Sequence, residues 1–501
     1  MRPLEALLSI ANLLTLFSFA VSQRHAARWM RHWATVASLV AIAQVLMEGT
    51  RWQMIPAYAL TTLFLTQLHL RFFSAGERDT QRTLKRSVLI GLGALGLTIS
   101  IAMPTLIPVF RFPQPTGPHD IGTLTYHWVD AARSDVFAAD PQARRELMAQ
   151  IWYPAKRNPS AARAAYMKDA DAVTAAFARI HDKPAFVFGH FKYVTTHAVA
   201  SAPVAEENTR LPVLIFLEGV TGFRQMNTFQ IEALASHGYI VVALDQPGVA
   251  AAVVFPDGRQ VAGLALPQLH PAIDRSYMPE SSDNGAPQLN GRVLQGGSIV
   301  PALAQDVSFT LDRLADLNRA DPNRILTGRL DLQRVGTFGV SLGGIVVGEA
   351  CRTEPRLRAC LVMDAPMPTA VVEAGLQQPS MWITRDAASM RFERQRAGGW
   401  TEAQIEAHQT TMRAVYESLP GAGYFVQVPG TFHSNFTDIP IWTPLASRLG
   451  FSGPIDAQRA HDIVNAYSLA FFDRHLSGRQ AKLLDGPASH FPEVRFESRQ
   501  P

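Results

Sequence analysis

Residues Thr337–Gly344 read TFGVSLGG, a G-x-S-x-G string carried by Gly339, Ser341 and Gly343. A serine hydroxyl is too weakly acidic to attack a carbonyl unaided. It needs a base, a receptacle for developing negative charge, and a backbone that lifts it clear of its neighbours. The two glycines meet the last need, because the sharp turn they flank tolerates almost no side chain. The amide of Leu342 stands at the start of a helix whose dipole favours an oxyanion. His433 is the candidate base, in the glycine-bearing stretch Pro429–Asp438, PGTFHSNFTD. Asp364 and Asp386 each end an apolar run between the serine and the histidine, so either is eligible to orient the imidazole. His461, His475 and His490 have weaker claims, since they fall in a C-terminal helical region and a proline-rich tail.

These residues need a sheet to bring them together. Arg334–Phe338 reads as a short buried strand and Ile345 onward as a helix, so Ser341 sits at a strand-to-helix turn. Leu211–Leu217, LPVLIFL, is unbroken and apolar, as a central parallel strand covered on both faces requires. The loop Glu218–Gly222 leaves this strand at the height expected for Ser341, and the amide of Val220 is the candidate second oxyanion donor. Phe229–Ser236 reads as a helix and Tyr239–Asp245 as the next strand. Asp245 precedes the serine in the chain, and its role is expected to be structural. Arg358–Asp364, Gln378–Arg385 and Tyr424–Val428 complete the strands, the last of them leading to His433. Functional groups in open α/β sheets gather at the C-terminal strand ends, and the chain order Ser…Asp…His fits. The fold class is therefore α/β, a mostly parallel sheet with helices on both faces. Its first strands are Thr123–Val129 and Glu146–Tyr153, followed by an alanine-rich helix over Ala161–Ile180. From Gly248 to Val300 the strand–helix rhythm lapses around a hairpin signal at Asp257-Gly258, which marks an insertion over the site. Pro301–Leu317 resumes as an amphipathic helix.

The first hundred residues differ in kind. Over the whole 501-residue chain hydrophobic residues make up 47% and charged residues only 18%, a bias toward membrane contact. Four apolar stretches, Leu4–Val21, Trp33–Met47, Met54–Phe73 and Ser87–Phe110, predict a transmembrane bundle of about four helices over residues 1–110. Three spans, or a buried soluble bundle, are the alternatives. Arg24, Arg28 and Arg31 mark one connection; Arg71, Arg78, Arg82, Lys85 and Arg86, against Glu77 and Asp79, mark another. Basic loops stay in the cytoplasm, which puts everything after Phe110 outside. The expectation is an integral membrane protein whose catalytic domain faces the periplasm or the cell exterior. A signal peptide ending near Ser22 is the rival for the first stretch. Gly91, Gly93 and Gly96 form a G-x-G-x-x-G string, but no strand precedes it. Close helix packing is the better reading. Arg111–Gly122, with Pro113, Pro115 and Pro118, reads as a stiff linker to a catalytic domain over 123–501.

The formal charge of +4 is small and the arginines form no aromatic-interleaved groove, so nucleic acid is excluded as a partner. Two cysteines, Cys351 and Cys360, give no metal framework, and no cofactor is called for. An exported domain permits a disulfide between them, but sequence does not fix whether their side chains face each other. Asn435-Phe436-Thr437 matches a glycosylation acceptor only by chance, because a glycan there would obstruct the base.

Taken in order, RELMAQIWYPA, ASHGYIVVALD, GVSLGG, CLVMDAPM and HSNFTD resemble the platelet-activating factor acetylhydrolase branch of α/β-hydrolases, in its bacterial, membrane-linked form. The resemblance covers roughly residues 117 to 493. It implies hydrolysis of short-acyl or lipid-like esters by a Ser/Asp/His triad without metal. It selects Asp364 as the acid, leaves Asp386 as the alternative, and carries the oxyanion amides onto Leu342 and Val220. Two positions differ from the family's usual pattern. Glu218-Gly219 stands where His-Gly is usual, and Val340 where histidine is common. An inward Glu218 carboxylate would oppose an oxyanion; the alternative is a surface pair with Arg224. The expected partners are an ester substrate and the membrane. A polyester- or dienelactone-type hydrolase, an acyltransferase, and a non-catalytic membrane sensor are the other readings. Sequence leaves the oligomeric state open.

Overall fold

The computed structural model describes residues 1–21, 26–73, 79–205, 210–278, 288–294 and 297–500. Ser22, Arg24, Glu77 and Arg78, used above for topology, lie outside the described residues, as do residues 279–287 and 295–296 of the insertion. The chain forms two units, Met1–Phe110 with Trp442–Leu445, and Arg111–Ile441 with Ala446–Pro501.

The first unit holds helices α1 (Pro3–Val21), α2 (Ala26–Glu48), α3 (Ile55–Phe73) and α4 (Asp79–Leu106). Among the described residues, three segments are long and apolar enough to cross a membrane: Pro3–Ala20, Arg28–Glu48 and Arg86–Leu106. Leu39, Ile42, Leu46, Leu92 and Leu95 face outward, Leu8, Leu16, Leu60 and Phe64 are buried inside, and Glu5, Asn12, Thr15 and Thr61 are buried too. Glu5 accepts two hydrogen bonds of 2.7 Å from the Arg51 guanidinium. Polar groups inside and apolar groups outside suit a lipid environment, where buried charges must be paired. A Cβ at Gly93 would lie 2.7 Å from Leu16, and one at Gly96 3.3 Å from Leu60, so these two glycines admit close helix packing. Gly91 has no such neighbour.

The second unit is built on strands β1 (Asp120–Ser134), β2 (Arg144–Ala155), β3 (Ala198–Ala200), β4 (Leu211–Leu217), β5 (Ile240–Asp245), β6 (Ala252–Val254), β7 (Gln260–Ala262), β8 (Gln288–Leu289), β9 (Arg292–Val293), β10 (Leu330–Val340), β11 (Leu357–Met363), β12 (Ser380–Thr384), β13 (Gly423–Gln427) and β14 (Arg495–Arg499). Ten of these form one sheet in the order β14-β13-β12-β11-β10-β4-β5-β2-β1-β3. The run from β13 to β5 is parallel, and β2 and β14 are antiparallel to their neighbours. Strands β4, β5 and β11 carry almost no polar residue and are buried on both faces, as central strands of such a sheet must be. The helices are α5 (Ala170–Ile180), α6 (Thr228–Ser236), α7 (Leu266–Asp274), α8 (Val300–Arg319), α9 (Leu342–Thr353), α10 (Thr369–Ala374), α11 (Ala387–Ala397), α12 (Glu402–Ser418) and α13 (Ala457–Leu476).

Three expectations change. Tyr424–Val428 is not the final strand, because the tail returns as β14 and pairs antiparallel with β13. The helix expected from Ala161 begins only at Ala170; Ala165 instead bridges to Thr195. The proline-rich stretch is packed rather than free. The rings of Phe112 and Tyr166 lie 5.0 Å apart, and the amide of His119 donates to Ser236 O at 3.2 Å. A Cβ at Gly117, within that stretch, would collide with the Ser236 carbonyl.

Candidate active site

Ser341 lies between β10 and α9 with φ 59° and ψ −126°, a conformation that L-residues rarely adopt. The surrounding glycines leave room for this turn. A Cβ at Gly343 would sit 2.0 Å from Leu217 O, and one at Gly339 2.5 Å from the Gly343 carbonyl carbon. Helix α9 can therefore start directly against the ends of β4 and β10. The loop after β4 comes equally close: a Cβ at Gly219 would lie 3.1 Å from Ser341 Cβ and 3.7 Å from its hydroxyl oxygen. Val220 follows Gly219, and the loop is fixed by Thr221 N donating to Val249 O at 2.7 Å. Ala251 N donates to Gly222 O at 2.8 Å, so the start of the insertion braces this loop.

The next strand brings the candidate acid. Ser341 N donates to Met363 O at 3.1 Å, and Asp364 follows at once, itself at φ 46°. Asp364 is fully buried, and its Oδ2 lies 2.5 Å from Nδ1 of His433. Thr384 Oγ1 donates to Asp364 Oδ1 at 3.0 Å, and Arg385 Nε lies 2.9 Å from Oδ2. Burial alone would raise this carboxyl. The Arg385 charge, the His433 hydrogen bond and His408 outweigh it and hold the group well below the usual carboxylate range.

His433 is presented by a turn after β13. Gly430 at φ 78° reverses the chain, and Asn435 Oδ1 accepts from Phe432 N at 2.7 Å and from Gly453 N at 2.8 Å. Asn435 is thus a buried brace of the histidine loop, which agrees with treating its acceptor motif as chance. The His433 amide faces both Glu393 carboxylate oxygens at 3.3 Å, and its ring stands edge-on to Trp400 with centroids 5.5 Å apart. Asp386 occupies a different place. It caps α11 by accepting from Ser389 N at 2.8 Å and meets Arg495 at 3.1 Å.

The remaining residues sort as follows. Glu218 is buried, not part of a surface pair. Arg224 is buried too and gives its amide and guanidinium to Asp245. Glu218 Oε1 accepts from Gln246 N at 3.3 Å. Burial, then the nearby Asp245, push the Glu218 carboxyl well above its ordinary range, which favours its neutral form. His461 stacks on Phe229 and hydrogen-bonds Thr437 O, and His475 meets the Tyr424 hydroxyl, so both are structural. Cys351 on α9 and Cys360 on β11 are joined by a disulfide. No cluster of metal-ligating side chains occurs among the described residues.

Arg385, Glu393, Trp400 and His408 had no sequence signal. They come from a strand end, two helices and a loop, and only the folded sheet edge collects them.

Residues 107–485 match the family described as platelet-activating factor acetylhydrolase, isoform II. A platelet-activating factor acetylhydrolase of Canis lupus familiaris is 26% identical over 311 residues, 59% of this chain and 63% of that protein. A probable 1-alkyl-2-acetylglycerophosphocholine esterase of Arthroderma benhamiae is 22% identical and covers 79% of this chain and 97% of its own. The ferulic acid esterase from Streptomyces cinnamoneus superposes with a TM-score of 0.58 at 28% identity, over 77% of this chain and 99% of that one. The chain spans a little under two thirds of the canine relative. With that family match running through more than half of its length, and with an α/β-hydrolase sheet beneath it, the chain belongs to the platelet-activating factor acetylhydrolase, isoform II, family.

Proposed function

We propose that this protein is a membrane-anchored serine ester hydrolase acting on short-acyl, lipid-like esters. The observation that carries the reading is the 2.5 Å contact between Asp364 and His433, placed one strand from the strained turn of Ser341. In this reading His433 takes the Ser341 proton as Oγ attacks the ester carbonyl carbon. The oxyanion meets the amides of Leu342 and Val220. Collapse breaks the ester C–O bond, and the leaving alcohol takes the proton from His433. A water molecule then repeats the sequence and frees the acid. Asp364 holds the imidazole with Nδ1 protonated and offsets the cation that forms on it.

Relatives named for platelet-activating factor and for a 1-alkyl-2-acetyl phospholipid support a short acyl group on a lipid alcohol. The ferulic acid esterase neighbour supports the general ester chemistry. Three membrane-length helices support anchoring, and the disulfide supports an oxidising, extracytoplasmic side for the catalytic unit.

The test uses the full chain in detergent with 4-nitrophenyl esters of two, four and eight carbons. The reading expects the two-carbon ester to be fastest and Ser341→Ala to lose on the order of 10⁵-fold or more in kcat. Turnover unchanged in Ser341→Ala would overturn it. A C-terminal phosphatase fusion is expected to be active; an inactive fusion contradicts the orientation.

A further inference from the structure

Arg385 is an unusual residue to find behind a catalytic acid. Its side chain is fully buried, and so is that of Asp364. Its Nε lies 2.9 Å from Oδ2 and 3.1 Å from Oδ1 of Asp364. Its guanidinium also meets Glu393 and lies over the ring of Trp400, with Cζ 5.1 Å from the centroid. Burying a guanidinium is costly, and an apolar side chain of similar volume would be the cheaper filling. The cation is therefore best understood through what its guanidinium touches, and each of those three groups also touches His433. Asp364 receives the His433 ring, Glu393 faces the His433 amide, and Trp400 packs against the imidazole edge.

The fourth group against this pair is His408 on α12. Its Nδ1 lies 3.2 Å from the Gln409 amide nitrogen, which can only donate, so Nε2 carries the proton; it stands 3.4 Å from Asp364 Oδ1 without forming a hydrogen bond. His408 therefore faces the acid as a neutral dipole. Arg385 is the full positive charge set against Asp364, and Glu393 is the second anion near His433.

We propose that Arg385 is a positioning residue for the acid–base pair: it fixes the Asp364 carboxylate toward His433 and offsets part of its charge. This rests on the serine hydrolase reading above. The geometry makes two separable demands, for a positive charge and for a planar donor in one place.

The experiment is the pH dependence of kcat/KM on 4-nitrophenyl acetate, with the full chain in detergent. The proteins are wild type, Arg385→Met, Arg385→Lys and Ser341→Ala. Arg385→Met removes the charge. It is expected to lower kcat/KM at pH 7 by about 10²-fold and to move the acidic limb of the profile up by about one pH unit. Arg385→Lys keeps the charge without the fork, so its limb stays in place while the rate falls about tenfold. A purely structural role would lower the rate without moving the limb in Arg385→Met. That result, or an Arg385→Lys enzyme as fast as wild type, overturns the assignment. If Arg385→Met does not fold, Arg385→Gln, which also removes the charge, takes its place: an acidic limb moved up upholds the assignment and an unmoved limb overturns it. Loss of turnover in Ser341→Ala alongside normal Arg385 variants removes this inference and keeps the hydrolase. Unchanged turnover in Ser341→Ala removes both.

Discussion

Asp364 Oδ2 and His433 Nδ1 are 2.5 Å apart, although 69 positions separate the residues in the chain. One ends a central strand and the other hangs from a braced turn two strands away. The pair exists because β11, β12 and β13 run parallel, so that their C-terminal ends form one edge.

That pairing separates the two aspartates. Asp364→Asn cannot hold the histidine tautomer and is expected to lose about 10⁴-fold in kcat. Asp386→Asn alters a helix cap and a partly exposed ion pair, so it should change kcat less than about threefold and stability by about 1 kcal/mol or less. Steady-state kinetics and thermal unfolding of both variants check this. Equal losses in kcat would contradict it.

Gly219→Ala would place a methyl 3.1 Å from Ser341 Cβ, within the space of the oxyanion loop. The expected outcome is a drop in kcat/KM of about tenfold or more with little change in melting temperature, because the crowding falls on the site and not on the core. A variant with wild-type kinetics would show that the loop yields freely.

Acid should destabilise the protein in a defined window. Burial pushes His408, His461 and His475 down from 6.5 to about 4, so all three are neutral in the fold at pH 6. An unfolded chain protonates them as pH drops below 6.5. The stability that their neutral form allows is therefore present above pH 6.5 and lost between pH 6.5 and 4, at about 1 kcal/mol per pH unit for each histidine, while Glu218 and Asp438, whose carboxyls burial pushes up, act in the opposite sense and reduce the net slope. Asp364 stays ionised across this window, so it adds nothing to the slope. Thermal unfolding at pH 7.5, 6 and 5 measures the effect, and a midpoint independent of pH would contradict it.

The disulfide closes a short loop between the helix that follows Ser341 and the strand that ends at Asp364. Replacing both cysteines by alanine should cost about 3 kcal/mol from loop-closure entropy. Each sulfur is buried, so mild reductant without denaturant should act slowly. Comparing melting temperatures of the double variant and the parent decides it.

Much of this arrangement was legible in the sequence, for identifiable reasons. LPVLIFL could only be a strand buried on both faces, and G-x-S-x-G at a strand end leaves few turns open to it. Strand ends, glycines and chain order are local signals. The tail strand Arg495–Arg499 was not legible, because its alternation is polar and exposed and it gains meaning only by pairing with β13. Nor was the choice between an inward and a surface Glu218, since a carboxylate beside glycine and valine fits either until the strands around it are placed. The residues around the acid were invisible for the same reason. Arg385 looks like the polar end of a strand, and His408 like one of many polar residues on α12, until the parallel edge folds both onto Asp364.

The most direct test of the account is where an active-site acylating probe attaches. Full-length protein in detergent is treated with a fluorophosphonate and the modified residue is located by mass spectrometry, alongside His433→Ala. The account predicts one adduct, on Ser341, formed at least about 10³-fold more slowly when His433 is absent. An adduct on another residue, or labelling of Ser341 at the same rate without His433, would contradict it.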